Sequence, residues 1–238
     1  MPSIFAETTD GDINSGNVAY SSARSATTGN VGNTTTTTAI AGIFRFGARG
    51  GGNTVRIHRL FLKFDTSGIS IAPSSANLKF TLNANPGSGG SANPIAVKSN
   101  AFGGGSGLGG SEYDSIDIST PYTAEIDTES GSTGDRISVA LNSDALSDIA
   151  ANDEFILALI SHAHDFINSE PSGTTSNANT IRTSDFSSTS SDPEIDYVAG
   201  SAPSGPANLT SLNTIAKASI TNVNTITVAN ITSINTIA

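Results

Sequence analysis

The segment Asn77-Leu-Lys-Phe-Thr-Leu-Asn83 alternates strictly between polar and apolar residues. Because successive side chains of a strand point to opposite faces, Leu78, Phe80 and Leu82 share one apolar face. Such a strand covers a hydrophobic core on one side and meets water on the other. The segment therefore predicts an antiparallel sheet that packs through one face.

Four other segments carry strand patterns: residues 59–65, 136–141, 155–160 and 194–198. Segment 59–65 has Phe61 on the face opposite its main apolar residues, so both of its faces are expected to be covered. Segment 155–160 is apolar on both faces, which indicates a central strand. Turn-rich stretches of Gly, Ser, Asn and Pro separate the segments. Together they predict an all-β, antiparallel, jelly-roll-like β-sandwich over residues 1–199.

One short helix is predicted at Ser143–Ala151, with Ser143 as its capping residue and an aspartate in its first turn. Its apolar side chains share one side: Ala145, Leu146, Ile149 and Ala150. The strand before it is expected to bury Ile137, Val139 and Leu141.

Composition excludes several classes of function. Charged residues make up only 13% of the 238 residues, against about a quarter in an average domain, and the net charge is −10. Eleven scattered Lys and Arg residues cannot form the basic stripe that a nucleic acid or an anionic membrane surface requires. No cysteine is present, which rules out disulfides, thiolate metal sites and a cysteine nucleophile.

The first residues show neither a basic region nor an apolar run typical of a secretory signal. A surface rich in Ser, Thr, Asn and Gly is nevertheless typical of extracellular proteins. A virion protein made in the host cytoplasm and released by lysis reconciles the two observations. We therefore expect a virion location, and no stretch of 18 apolar residues that would span a membrane is present.

The sequence pattern changes at Gly200, from strand-like segments separated by turns to a linker followed by a repeat. Residues 200–207 are typical of a linker, and residues 208–238 repeat with a period of 11, in units that begin at Asn208, Ser219 and Asn230. Three apolar columns form the predicted assembly interface of this tail: Leu209, Leu212, Ile215, Ile220, Val223, Ile226, Ile231, Ile234 and Ile237.

Two ordered conformations fit the repeat. On a helix the apolar columns would form one stripe about 140° wide, since 11 residues make about three turns. Thr, Asn, Ile and Val favour short strands and turns instead. A disordered tail is the third alternative, against which the regular spacing argues. One ordered copy cannot bury its apolar columns, so we expect a homotrimer or docking on a partner surface.

The histidines offer one candidate metal site. His162 and His164 alternate after the apolar segment 155–160, and a strand would place both imidazoles on one face with Asp165 beside them. A polar loop at a strand end is the alternative that we favour. His58 is the remaining histidine, and no third ligand is evident from the sequence.

Three other segments could suggest a functional site, but each also has a simple structural explanation. Asp10, Asp12 and Asn14 alternate like calcium ligands, but a turn is favoured because the bidentate glutamate of a calcium loop is missing. Glu125 and Asp127 carry carboxylates that a glycosidase would need. The glycine-rich stretch 102–110 lacks the strand, helix and lysine of a phosphate loop. We expect no catalytic residue and no cofactor.

Several segments, in order, resemble the DNRLRE-type, carbohydrate-binding-module-like β-sandwich. They are residues 21–31, residues 56–82 with Leu62-Lys-Phe-Asp65 and Ser75-Ala-Asn-Leu-Lys-Phe80, Asp117-Ile-Ser119, and the closing stretch 184–198. The resemblance implies a jelly-roll-like fold over nearly all of residues 1–199. It also implies a place among bacterial surface proteins or phage structural proteins, of which some bind polysaccharide. The tail resembles those of marine phage virion proteins.

These expectations converge on a bacteriophage virion structural protein, a capsid decoration or head-fibre protein that contacts other virion proteins. The alternatives are a tail-fibre protein that recognises host surface glycans and a carbohydrate-binding module of an extracellular protein. The sequence has no tryptophan and only 6% aromatic residues, so it shows no clear sign of an aromatic surface that binds sugar rings.

Overall fold

The computed structural model describes residues 2–33, 36–47, 53–84, 92–102 and 107–201, and four short stretches of the tail at 211–212, 215–216, 222–223 and 226–227. The chain divides into two compact units, Met1–Ala199 and Gly200–Ala238. No helix among the described residues is long and apolar enough to cross a membrane.

The larger unit is built from strands and short helices. Its strands are β1 Ser3–Phe5, β2 Gly11–Asn14, β3 Asn30–Asn33, β4 Thr38–Gly47, β5 Asn53–Asp65, β6 Ser75–Ala84, β7 Pro94–Ser99, β8 Ile116–Pro121, β9 Arg136–Ala140, β10 Glu154–Ser161, β11 Thr175–Arg182 and β12 Glu194–Val198. Its helices are α1 Tyr20–Arg24 and α2 Ser143–Ala151, with shorter helical turns at Gly110–Asp114, His162–Phe166 and Thr189–Ser191.

The strands form two packed layers, and all their pairings are antiparallel. One layer contains β1, β12, β6 and β9. The other runs in the order β11, β4, β5, β10, β7, β8, with β2 and β3 beside β5. Strand β6 joins the layers, because its end at Leu82–Ala84 also pairs with β11. The predicted antiparallel β-sandwich is confirmed.

The main core lies between the two layers. It contains the faces predicted from the alternating segments, including Leu78, Phe80 and Leu82 of β6 and Leu60, Leu62 and Phe64 of β5, all with at most 1% of their surface exposed. Leu157 and Leu159 of β10 also belong to this core, and they reach it from the same layer as β5, with which β10 pairs. Burial of this apolar surface is the main driving force for the fold.

The outer face of the β5 layer is covered as well. Phe61, Ala158 and Ile160 pack there against β7 and Tyr113 of the Gly110–Asp114 turn. Helix α1 covers the neighbouring part through Tyr20 and Ala23. Strand β10, which lies between β5 and β7, is therefore apolar on both faces, as expected for a central strand.

Three local details differ from the sequence predictions. The cap of α2 is Asn142, whose side chain accepts hydrogen bonds from the backbone N–H groups of Asp144 and Ala145, and not Ser143. Ile137 and Val139 are only partly buried, because β9 pairs with β6 alone among the described strands. Helix α1 was not predicted, since five residues are too few to show a helical pattern.

The described stretches of the tail are short strands. β13 Ser211–Leu212 pairs with β14 Ile215–Ala216, and β15 Asn222–Val223 pairs with β16 Ile226–Thr227. Both pairings are antiparallel, and the second repeats the first eleven residues later. Strands and not a helix thus form at these positions, which include Leu212, Ile215, Val223 and Ile226 of the predicted interface. The other predicted interface residues lie outside the described residues: Leu209, Ile220, Ile231, Ile234 and Ile237.

Candidate functional site

A buried ion pair links β5 to the helical turn that follows β10. Arg59 Nε donates to Asp165 Oδ2 at 2.7 Å, and Arg59 Nη2 donates to Asp165 Oδ1 at 3.0 Å. Neither side chain exposes more than 2% of its surface. Two further N–H groups of the guanidinium donate to backbone oxygens, Nη1 to Tyr113 O at 2.8 Å and Nη2 to Arg24 O at 3.1 Å. This two-pronged geometry satisfies both charges inside the protein.

The ion pair sits at the centre of contacts that hold α1 in place. The guanidinium of Arg59 stacks on the ring of Tyr113 at 4.1 Å from its centre, and the Tyr113 hydroxyl donates to Ala23 O at 2.9 Å. Arg24 Nε donates to Asp165 O at 2.8 Å. The Tyr20 hydroxyl donates to the backbone oxygen of His164. The network therefore positions a helix that is too short to be stable alone.

The structure separates the residues of the predicted histidine site. Residues His162–Phe166 form a helical turn and not a strand, so the two imidazoles do not alternate on one face. Both ring nitrogens of His164 are engaged, Nδ1 at 2.6 Å from Ser169 O and Nε2 at 3.0 Å from Asn177 Nδ2. Asp165 binds Arg59. No three His, Asp or Glu side chains in the described part of the chain form a group that could hold a metal ion.

The other two histidines each face a carboxylate. His162 Nδ1 lies 3.3 Å from Glu125 Oε2 near the surface. His58 Nδ1 lies 2.7 Å from Asp12 Oδ2, and both of these side chains are buried. Asp12 Oδ1 also accepts from the backbone N–H of Ile40 at 3.3 Å. His58 and Asp12 therefore hold β2 against β4 and β5.

The candidate calcium loop at the start of the chain is not formed. Gly11–Asn14 is strand β2, and a turn lies directly before it, where Asp10 N donates to Glu7 O at 3.2 Å. Asn14 Oδ1 accepts from the backbone N–H of Gly16 at 3.1 Å. Asp10 instead faces the connection between β11 and β12, where its Oδ2 accepts from Ser184 N at 2.9 Å.

The two carboxylates considered for a glycosidase site, Glu125 and Asp127, bind neighbouring polar groups. Asp127 accepts hydrogen bonds from the hydroxyl and backbone N–H of Ser130, and these bonds lower the pKa of its exposed carboxyl group. Glu125 Oε1 accepts from Asn93 Nδ2 at 3.0 Å. The glycine-rich stretch 102–110 lies partly outside the described residues, at 103–106.

A polar pocket of about 260 Å³ opens between β7, β10 and α2. Asp148 lies in its wall, with Oδ2 accepting from Lys98 Nζ at 2.7 Å and from the Tyr122 hydroxyl at 2.5 Å. Burial alone would raise the pKa of Asp148, but these two hydrogen bonds outweigh it and leave the pKa below its ordinary value. The pocket is smaller than typical ligand sites of about 300–1,000 Å³, and its polar groups already bind each other.

An exposed aromatic patch lies on β4 and β5. The rings of Phe44 and Phe46 are nearly parallel, with centres 6.4 Å apart, and 40% of Phe46 is exposed. Arg56 lies over the Phe46 ring at 5.8 Å and donates to Asn17 Oδ1 at 3.0 Å. Flat apolar faces beside hydrogen-bonding groups suit the faces of sugar rings. The signal in the sequence was the alternation Phe44-Arg45-Phe46, which places both rings on one face of a strand.

No model of a known protein family matches the chain, and no curated protein matches it in sequence. The fold and the contacts described above define the chain as an antiparallel β-sandwich protein followed by a tail that contains repeated hairpins.

Proposed function

We propose that the protein is a non-catalytic structural component of a bacteriophage virion, a capsid decoration or head-fibre protein. The repeated hairpins of the tail carry this proposal. A two-stranded hairpin is at best marginally stable in water, and each hairpin here has strands of only two residues. Such units need neighbours, which copies of the same chain or a lattice of other virion proteins would supply.

A homotrimer joined through the tail would also explain how weak contacts could hold the protein on a particle. Linked copies bind with a high effective concentration, so that overall avidity exceeds the affinity of each contact. The small share of charged residues suits a surface that solvates through hydroxyl and amide groups. The buried charges of Arg59 and Asp165 bind each other and the backbone. This is the arrangement of a structural ion pair.

Removal of the tail tests the proposed assembly. The full chain is expected to sediment at three times the 24.1 kDa of one chain, and a chain ending at Ala199 is expected to sediment as a monomer. Sedimentation equilibrium at several concentrations measures both masses. A matched control replaces Ile118, which is exposed on β8, by serine and should leave the trimer intact. A full chain that stays monomeric at micromolar concentration would contradict the assembly.

Recognition of host surface glycans is a second candidate, and the patch of Phe44, Phe46 and Arg56 favours it. On a glycan array, binding by the full chain should be lost in the Phe46→Ala variant. The control Phe5→Ala removes an equally large side chain that is 47% exposed on β1, away from the patch, and should keep binding. The absence of any binding by the full chain would remove this candidate.

A further inference from the structure

Two connections of the sandwich bring acidic side chains together. Asp10 directly precedes β2, and the connection from β11 to β12 contains Asp185 and Asp192. Hydrogen bonds join the two connections: Ser184 N donates to Asp10 Oδ2 at 2.9 Å, and Ser184 Oγ donates to Glu7 O at 3.0 Å. The start of the chain is thereby held against a segment that lies more than 170 residues later.

Oxygen atoms in this region are buried without hydrogen-bond donors. Asp10 exposes 1% of its surface and Asp192 exposes 6%. Within the described residues no donor reaches Asp10 Oδ1, Asp192 Oδ1 or Thr9 Oγ1, although all three atoms are buried. Buried polar atoms are almost always paired, and an unpaired carboxylate oxygen is costly, so each of these atoms demands an explanation.

Electrostatics adds to the cost of burying these carboxylates. Burial raises the pKa of Asp10 to about 7, against partial compensation by the hydrogen bonds from Ser184, and the nearby carboxylates of Asp185 and Asp192 raise it further. Burial also raises the pKa of Asp192, and Asp185 adds to this effect while Arg136 opposes it. Arg136 donates to the backbone oxygen of Asp192, at 2.7 Å, and pairs with Glu194. Its charge therefore offsets only part of the repulsion among the carboxylates.

We infer that Asp10 and Asp192 are the carboxylate ligands of a calcium site between the start of β2 and the connection that leads into β12. Calcium takes six to eight oxygen ligands in flexible geometry, from carboxylates, neutral oxygens and water. Thr9 directly precedes Asp10, and its buried Oγ1 is a further oxygen without a hydrogen-bond partner. No three acidic or histidine side chains converge in the described part of the chain, so the proposed site requires neutral oxygens and water to complete its coordination.

The ligand chemistry distinguishes among metals and sets the affinity. Zinc prefers nitrogen and sulfur ligands, and magnesium requires a nearly ideal octahedron and keeps most of its water. Two carboxylates are a low charge for a calcium site, so we expect a Kd of about 10⁻⁴–10⁻³ M, as in extracellular modules. Such a site serves as a clamp between the two connections.

Thermal unfolding of the full chain tests the site. With 10 mM CaCl₂ in place of EDTA, Tm is expected to rise by about 3–10 °C, because calcium binds the folded chain at roughly ten to a hundred times its Kd. The same concentration of MgCl₂ should raise Tm by less than half of that shift. No rise with calcium, or an equal rise with magnesium, would overturn the inference.

Substitutions identify the ligands. Asp10→Asn and Asp192→Asn should each abolish the calcium-dependent rise in Tm. In EDTA both variants should melt no lower than the unsubstituted chain, since each loses a buried negative charge, so a lost response is distinguishable from a damaged fold. The control Asp153→Asn changes an exposed aspartate and should keep the full response. A calcium response that survives in either ligand variant would overturn the assignment.

Discussion

Replacement of Asp165 by alanine is expected to lower the free energy of unfolding by about 3–5 kcal/mol. The substitution leaves Arg59 as a buried charge, only 2% exposed, without its carboxylate partner. It also removes the group that orients the guanidinium toward the backbone oxygens of Tyr113 and Arg24. Urea unfolding followed by far-UV circular dichroism measures the loss.

Two comparisons separate the buried pair from ordinary surface charges. The double variant Arg59→Met with Asp165→Leu should recover much of the loss, because neither charge is then left buried alone. The control Lys98→Ala breaks the pair with Asp148, whose side chains are 42% and 22% exposed, and should cost no more than about 1 kcal/mol. Equal losses in Asp165→Ala and Lys98→Ala would contradict the structural role of the network.

Replacement of Phe64 by alanine should cost about 3–5 kcal/mol, the usual range for an aromatic side chain deleted from a core. Phe64 is fully buried between the two layers, and its ring centre lies 6.4 Å from that of Phe155. The surrounding side chains come from strands on both sides, so the cavity cannot close without moving a layer. The same urea measurement gives the change in stability.

Phe5→Ala is the matched control for the core. It deletes the same atoms from a side chain that is 47% exposed at the edge strand β1. It is expected to lower the free energy of unfolding by less than about 1 kcal/mol, because the Phe5 side chain buries little apolar surface. A Phe5→Ala loss as large as that of Phe64→Ala would mean that the layers do not pack as described.

The strands of the sandwich could be predicted because their signal is local. Alternation along β6 places Leu78, Phe80 and Leu82 on one face without knowledge of any other segment. Segment 155–160 shows in the same way that β10 is covered on both faces. The short helix Ser143–Ala151 was equally visible from its spacing, although the residue that caps it lies one position earlier than predicted.

The polar contacts could not be predicted, since they join residues far apart in sequence. Arg59 and Asp165 are separated by 106 positions, and Asp10 and Ser184 by 174. The alternating spacing of His162 and His164 indicated a shared face only if the segment were a strand. The chain turns there instead, and this turn directs Asp165 toward Arg59. Spacing within a segment carries no information about such distant partners.

In the tail, too, some features could be predicted from each repeat alone and others could not. Its period of 11 and its preference for short strands follow from the composition of each repeat. The described pairs, Leu212 with Ile215 and Val223 with Ile226, recur at that period. We propose that the apolar columns pack against other chains, and this is the point at which the proposed function has to be tested.

Electron microscopy of purified virions that carry either the full chain or a chain ending at Ala199 tests that function most directly. With the full chain, density for the sandwich is expected at regular positions on the particle. With the shortened chain, which should fold but not attach, that density should disappear while the particle stays intact. Undiminished occupancy by the shortened chain, or absence of the full chain from the virion, would contradict the account.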